Sequence, residues 1–439
     1  MLNKDNVQNI IDSISENLNN YATINITSSS QATTRFANSQ ISQNIAIDET
    51  IVELTVYDGK KEATCKTNSL TDEALKRLAI DTETLLKHVP DGEYEVFPFS
   101  REALREKEAE CVLCKEFDDK NRAEIVKEGV SHIKKDFTAS GALNINHNTI
   151  AVGNTEGKIR IAEYDQLNFN TVVTHKDGTA GAGECVSYTD APDIVSLFKK
   201  AQSTAEAARK PIEPELGFNT VVLSPVAFAD LISYVTRMLN AGAVEKGVSF
   251  AIGRLNKQIF GENLTIIDDV RTLGTRPVLF DYEGNIRTTL SLVEKGYVKS
   301  FLYDNKLAKK HGIINTGHAI SNKGLGGYAM NIIVEPGNTC MDRIIQGVQK
   351  GVYINEFHYT NMVNARNLQV TGLTRNGTFL IENGEITKPI STVRFTVSLL
   401  DVFNTITALS TKREQIGGYM GSILTPGARI EKFIFTSKP

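Results

Sequence analysis

Apolar side chains near the start of the chain recur with the spacing of a helix. Positions 7, 10, 11, 14 and 18 are Val, Ile, Ile, Ile and Leu, with polar residues between them. This period predicts an amphipathic helix over residues 4–19. From about residue 21 to 57 the period changes to two, as in Ile-Ser-Gln-Asn-Ile-Ala-Ile at 41–47, which predicts half-buried strands. Asp58-Gly59 then predicts a hairpin turn before another strand.

The rest of the first half alternates between helical and strand-like segments. Thr71 precedes two acidic residues, which suit the first turn of a helix that extends to about residue 87. A charged helical stretch is predicted over 100–137. Strands are predicted between about 143 and 174, interrupted by turns at 146–148 and 154–157, and a helix over about 192–208. The glycines at 178, 181 and 183 predict a flexible loop between the last strand and that helix.

A short proline-containing segment, Lys210–Gly217, separates the two halves of the chain. Two prolines within four residues disfavour both helix and sheet interiors. We therefore predict an N-terminal α+β domain over 1–210, with a sub-region boundary near 100, and a strand-rich C-terminal domain over 216–439. The fold class predicted for the whole chain is α+β.

The second half opens with a strand-like run at 220–223, followed by Ser224-Pro225. Serine is a favourable N-cap and proline suits the first helical position, so a helix is predicted to begin there. A second helix is predicted over about 243–259, and mostly short strands after residue 268. The glycine-containing run Lys323–Gly327 matches no nucleotide-binding motif and predicts a flexible loop that lines a cleft.

Charge and hydropathy limit the classes of partner. The chain has 48 Lys and Arg against 52 Asp and Glu, which argues against a broad nucleic-acid surface and predicts no direct nucleic-acid binding. No stretch approaches the roughly 18 apolar residues of a membrane span, and the amino end lacks the unbroken apolar core of a signal peptide. We therefore expect a cytoplasmic protein with no membrane association.

Cysteine and histidine give no strong metal motif. The five cysteines are too few for a disulfide framework, and Cys111–Cys114 is the one CxxC pair, without the second pair of a four-ligand zinc site. None of the seven histidines is followed by Glu, and no two have an i, i+3 or i, i+4 spacing. A zinc site assembled from distant residues stays open. In a strand, Glu356 and His358 would share one face, as an acid–base pair, as two ligands, or as an ordinary hydrogen-bonded pair.

Several segments, in order along nearly the whole chain, resemble the TldD/PmbA family of peptidase subunits. They are Arg35–Ile41, Phe280–Gly284, Leu292–Gly296 with Ala308, Thr316–His318, Gly337-Asn338, Gly351–Ile354, Thr371-Gly372 with Gly377, and Ile381–Ile386. Each motif is modest, and their common order and spacing carry the resemblance.

The resemblance implies where a catalytic metal would lie and that this chain lacks it. Catalytic members carry HExxxH on the helix after the strand at 220–223, and a cysteine near the carboxyl end. These positions fall here at Ser233, Tyr234 and Met238, and near Gly417. Serine and methionine are poor zinc ligands, and tyrosine is no base near neutral pH. The pattern is similar to the PmbA (TldE) branch, formerly called modulator of DNA gyrase, whose subunits lack metal.

The resemblance also implies partners and a substrate. A PmbA-type subunit pairs with a zinc-bearing TldD-type catalytic subunit, and the dimer encloses a chamber in which unfolded peptides are cut. A homodimer stays open. Two alternatives also stay open: an active peptidase or hydrolase with an atypical site at His318, Glu356 and His358, and a regulatory binding protein of the gyrase-modulator type.

Overall fold

The computed structural model describes residues 2–92, 99, 113–320 and 324–438. In the first half, five helices accompany six strands among these residues. They are α1 (Lys4–Ser15), β1 (Tyr21–Ala37), β2 (Gln40–Tyr57), β3 (Glu62–Thr67), α2 (Asp72–His88), α3 (Leu113–Glu116), α4 (Asp119–Ser131), β4 (Phe137–Asn154), β5 (Ile159–His175), β6 (Ala180–Ser187) and α5 (Ile194–Ala207).

The six strands of the first half form one antiparallel sheet in the order β3-β2-β1-β4-β5-β6. The apolar stripe of α1 and the buried face of α2 share a core with β1, β2 and β3. A second core joins α3, α4 and α5 to β4 and β5. The predicted helix at the start of the chain is therefore confirmed, although it ends at Ser15 rather than at residue 19.

Two turn and loop predictions in this half are wrong. Residues 146–148 form no turn, because β4 continues through them and pairs with β1 on one side and β5 on the other. Cross-strand hydrogen bonds on both sides outweigh the turn preference of the two asparagines. Gly181 and Gly183 lie within β6 rather than in a flexible loop. Of the three glycines, only Gly178 lies in the turn before β6.

The glycines of β6 allow α5 to lie against the strand. A Cβ at Gly181 would lie 2.2 Å from the carbonyl oxygen of Ala201, and a Cβ at Gly183 would lie 2.7 Å from that of Leu197. Both obstacles are backbone atoms of α5, so a larger side chain can be accommodated only by moving the helix. These two positions set the distance between α5 and the sheet.

Replacing Gly181 with alanine is expected to lower the free energy of unfolding by about 1–3 kcal/mol, the usual cost of overpacking. The reason is the clash with Ala201, and chemical denaturation measures the loss. Gly417→Ala is the matched control, because a Cβ there meets no atom within 4 Å. Equal stability of the two variants would show that the α5–β6 spacing is not fixed by Gly181.

The second half contains eleven strands and five α-helices among the described residues. They are β7 (Gly217–Leu223), α6 (Pro225–Met238), α7 (Ala241–Glu245), β8 (Ile266–Asp268), β9 (Leu290–Glu294), β10 (Tyr297–Val298), α8 (Asn305–Lys310), β11 (Asn331–Val334), α9 (Met341–Gln346), β12 (Lys350–Asn364), β13 (Gln369–Glu382), β14 (Glu385–Pro389), β15 (Arg394–Ser398), α10 (Leu399–Val402), β16 (Ile406–Gly417) and β17 (Ser422–Ser437).

These eleven strands belong to one mixed sheet in which β17 is the central strand. The order is β10-β9-β8-β11-β17-β15-β13-β12-β7, with β14 beside β13 and β16 beside β17. Because β7 pairs with both β12 and β17, the five strands β17, β15, β13, β12 and β7 close on themselves. The closed sheet surrounds an aromatic core that includes Phe357, Phe395 and Phe433.

The α+β prediction is confirmed, and the details of the second half are corrected. The helix predicted over 243–259 is wrong, since α7 ends at Glu245 and the backbone then enters left-handed conformations at Gly247 and Gly253. Of the nine described strands after residue 268, five have at most five residues, as predicted, whereas β12, β13, β16 and β17 have 12–16. Residues 208–216 lie outside helices and strands, apart from one bridge between Ile212 and Ile390.

The domain limits at 210 and 216 and the sub-region boundary near 100 remain predictions. Cys111 of the CxxC pair, residues 100–112 of the charged helical stretch and Lys323 of the glycine-containing run lie outside the described residues. Within the part of the chain that the structure describes, no helix is both long and apolar enough to cross a bilayer.

Candidate functional site

Helix α6 is capped in the way that its sequence predicts. The Ser224 side chain accepts a hydrogen bond from the amide of Ala227, and Pro225 occupies the first turn. The same Ser224 hydroxyl donates to the carbonyl of Asn355 on β12 at 2.5 Å. One side chain therefore both starts the helix and holds it against the sheet.

Two faces of α6 have different roles. Phe228, Leu231, Ile232 and Val235 are fully buried in the core of the closed sheet. Val226, Asp230, Ser233, Tyr234 and Arg237, which follow the three- and four-residue spacing of another stripe, line a cavity of about 330 Å³. We call it the α6 cavity.

The α6 cavity lies where the two sheets meet. Its walls combine residues of α6 with residues of β6, β12, β16, β17 and the segment that joins the last two strands. The lining residues with polar side chains, or with exposed backbone at glycine, are Glu184, Asp230, Ser233, Tyr234, Arg237, Glu356, Gly417, Gly418 and Tyr419. A residue of the N-terminal sheet, Glu184, thus contributes to a site built mainly by the second half.

The pKa values of three carboxyl groups in this cavity are raised above their usual values. Burial, together with the neighbouring charges of Glu356 and Asp230, raises the pKa of Glu184 to about 7. Burial also raises the pKa of Asp230, whose Oδ2 accepts a hydrogen bond from Thr360 at 2.5 Å, and that of Glu356, which accepts one from Asn376 at 2.8 Å. The cavity can therefore exchange protons near neutral pH.

Aromatic and cationic groups form another part of the wall. The Tyr234 hydroxyl donates to the carbonyl of Thr360 at 2.5 Å, and burial raises the pKa of Tyr234 to about 12, so it stays protonated. The guanidinium of Arg237 lies 5.8 Å from the ring centre of Tyr234 and 5.4 Å from that of Tyr419. This stacking holds a positive charge at the wall of the α6 cavity.

The positions that the resemblance assigned to the family metal lie close to this cavity. Ser233, Tyr234 and Gly417 all line it, although Gly417 is far from the other two in sequence. Met238 instead packs against the core of the second half. The Ser233 hydroxyl donates to the carbonyl of Asp230 in its own helix at 2.6 Å.

The side chains of the α6 cavity do not suit a catalytic zinc ion. Its described lining contains neither histidine nor cysteine, whereas catalytic zinc sites of peptidases use imidazole or thiolate ligands. The carboxyl oxygens of Glu184, Asp230 and Glu356 are also too far apart to bind one metal ion together, since they do not all lie within 4.8 Å of one another. The arrangement offers proton exchange and hydrogen bonding rather than metal-activated water.

The three residues of the proposed atypical site lie in different surroundings. Glu356 lines the α6 cavity, while the half-buried His358 contacts Arg375. His318 is fully buried, with its Nε2 3.2 Å from Asp268 Oδ1. Glu356 and His358 therefore both contact the 375–376 segment of β13, and no described contact joins His318 to either of them.

Sequence reasoning missed the two other carboxyl groups of the cavity. Asp230 sits on the predicted helix, and the four-residue spacing to Tyr234 could have placed it on the same face. Glu184 falls in the segment between Gly183 and the helix α5, and no local pattern connects it with residues 230 or 356. Its place in the cavity follows only from the packing of β6 against the second half.

Comparison with known proteins gives a consistent result. Residues 217–437 match the family model described as the PmbA/TldA metallopeptidase C-terminal domain. The protein named metalloprotease PmbA from Escherichia coli O157:H7 is 25% identical over 218 residues, covering 47% of this chain and 45% of that protein. The first curated relatives are matched over only 24–47% of their own length.

Solved structures share the fold over the whole chain. TldE from Thermococcus kodakarensis superimposes with a TM-score of 0.87 at 18% identity, covering 98% of this chain and 100% of that one. A protein described as a modulator of DNA gyrase, from Bacteroides thetaiotaomicron, gives a TM-score of 0.86 at 19% identity and covers 99% of both chains. Since the family model matches half of the chain, and the motifs found in the sequence lie in order on this fold, the chain belongs to the TldD/PmbA family.

Proposed function

We propose that this chain is a non-catalytic subunit of a TldD/TldE-type zinc metallopeptidase that cleaves unfolded peptides. It contributes part of the chamber and binds peptide, while a TldD-like subunit holds the zinc and performs the hydrolysis. The observation that carries the proposal is the composition of the α6 cavity. Ser233, Tyr234 and Gly417 line it at the family's metal positions, and none of them supplies a nitrogen or sulfur ligand.

Strand addition at the edge of β2 would hold a peptide without regard to its sequence. Strand β3 pairs with β2 only from Val52 onward, so the described strands leave the earlier part of β2 paired on one side, with β1. The side chains of Ile45 and Ile47 in that part are 43% and 56% exposed. An extended peptide could pair with this edge through backbone hydrogen bonds and cover both isoleucines.

The test is a cleavage assay on an unstructured peptide with zinc supplied. The purified chain alone is expected to give no cleavage, and a mixture with a TldD-like subunit that carries HExxxH is expected to cleave faster than that subunit alone. In the mixture, Ile45→Lys with Ile47→Lys should raise KM with little effect on kcat, because the change removes binding surface and no chemistry. An unchanged KM would exclude the β2 edge as the peptide site.

Two results would overturn the main proposal. Cleavage by the isolated chain that disappears in Glu356→Gln would assign the hydrolysis to this chain and support the atypical site. The control for that variant is Glu385→Gln, a change at an exposed position of β14. A cleavage rate in the mixture that does not depend on this chain would also contradict the proposal.

A further inference from the structure

A cluster of three different metal-binding side chains lies in the N-terminal sheet, apart from the α6 cavity. His147 of β4 is the direct cross-strand neighbour of Asp165 of β5. Residues paired in this way project from the same face of an antiparallel sheet. Accordingly, His147 Nδ1 lies 2.9 Å from Asp165 Oδ1.

Helix α3 brings the third side chain onto this pair. The amide of Cys114 donates to Asp165 Oδ2 at 2.8 Å, and its thiol also hydrogen-bonds to the Asp165 carboxylate. One ligand atom from each of Cys114, His147 and Asp165 lies within 4.8 Å of the other two. In the described ranges 2–92, 113–320 and 324–438, no other three His, Cys, Asp or Glu residues converge in this way.

The cluster is largely shielded from water and keeps a negative charge. Asp165 is 2% exposed, and the side chain of His147 is 13% exposed. Burial acts to raise the pKa of Asp165, but the hydrogen bonds from His147 and Cys114 outweigh it and lower the pKa below its usual value. An ionised carboxylate in such surroundings requires a compensating positive charge or strong donors.

The order of contacts does not suit a nucleophilic relay. A thiol activated for catalysis needs the imidazole between itself and the carboxylate, so that the imidazole can take the thiol proton. Here the carboxylate of Asp165 is the central group and contacts both Cys114 and His147. The arrangement suits a bound cation better, because the ion would replace the protons shared between the side chains and contact a ligand atom of each of the three.

We propose that Cys114, His147 and Asp165 bind a divalent cation of the zinc type. Thiolate, imidazole and carboxylate together are the donor set that zinc prefers over calcium or magnesium. On binding, the Cys114 thiol loses its proton to solvent and its sulfur bonds the metal. Ligand atoms around zinc lie on the order of 3–4 Å apart, so side-chain shifts of about 1 Å complete the site.

Cobalt(II) is the probe for this site, because cobalt bound to thiolate gives a charge-transfer absorption band in the near ultraviolet. The reduced full chain is expected to show the band and to bind about one cobalt ion per chain, displaced by zinc. Cys114→Ser should abolish the band, and His147→Gln should weaken binding at least 10-fold. Cys340→Ser is the matched control, since Cys340 is an exposed thiol outside the cluster, and it should leave the band unchanged.

Two results would overturn the site. One is the absence of the band from the unmodified chain at saturating cobalt, and the other is a band that persists in Cys114→Ser. Because Cys114→Ser keeps the size of the side chain, its melting temperature without metal should match the unmodified chain. If it does not, the His147→Gln titration decides, since that variant keeps the thiol. The outcome is independent of the cleavage assay, which concerns the α6 cavity and the edge of β2.

Discussion

The Phe433→Ala variant is expected to lose about 3–5 kcal/mol of the free energy of unfolding, the cost of emptying a buried aromatic site. Phe433 is fully buried in β17. Its ring centre lies 5.2 Å from that of Phe395 and 5.9 Å from that of Phe357, nearly parallel to the latter at 10°. Truncation would leave a cavity on the side of β12 that carries the core, directly behind Glu356.

Chemical denaturation of both proteins checks this expectation. The control is Phe218→Ala, because Phe218 is 74% exposed and its removal should change stability by less than about 0.5 kcal/mol. A loss in Phe433→Ala no larger than that of the control would show that the aromatic core does not carry the stability of the closed sheet. The result also concerns the α6 cavity, because Phe357 packs against Phe433 and its neighbour on β12, Glu356, lines that cavity.

The Glu184→Gln variant is expected to be more stable than the unmodified chain at pH 8, by up to about 3 kcal/mol, and equally stable near pH 4. The pKa of Glu184 is raised from 4.5 to about 7 in the folded chain. A raised carboxyl pKa means that the folded state binds the proton more tightly than the unfolded state. The contribution of Glu184 to stability is therefore complete below pH 4.5 and is lost as the pH rises through 7.

The difference in stability between the two proteins, measured from pH 4 to 8, gives the result. It should grow between about pH 4.5 and 7 and then remain constant, since glutamine does not titrate. Glu385→Gln, at an exposed position of β14, should show no such growth. A constant difference across this range would show that Glu184 has the same pKa in the folded and the unfolded chain, and would remove the case for proton exchange in the α6 cavity.

Local sequence signals predicted the elements that depend on local interactions. The start of α6 at Ser224 and Pro225 was evident because both residues act within the first turn of the helix. The β2–β3 hairpin at Asp58-Gly59 and the α2 cap at Thr71 followed in the same way. The turn predicted at residues 146–148 was wrong because this segment pairs with a strand on each side, and those distant partners cannot be recognised from the local sequence.

The candidate sites depended on distant contacts and were only partly predictable. The family resemblance assigned Ser233, Tyr234, Met238 and the neighbourhood of Gly417 to the metal site. Three of these residues line one cavity, whereas Met238 packs against the core. Glu184 comes from the other sheet and had no signal in the sequence. The Cys114–His147–Asp165 cluster was hidden for a similar reason, because the turn predicted at His147 would have separated it from Asp165.

The pairing of β17 limits how much of the protein can fold during translation. Asn219 of β7 pairs with Phe433 of β17, roughly 200 residues further along the chain, and β17 also pairs with β11, β15 and β16. At translation rates of about 5–20 residues per second, β7 leaves the ribosome some 10–40 s before its partner. The N-terminal sheet, built entirely from its own strands, can form during that interval. Until β17 emerges, β7 can pair only with β12, so its other edge stays unpaired, and this nascent edge is the one that a holding chaperone would need to protect.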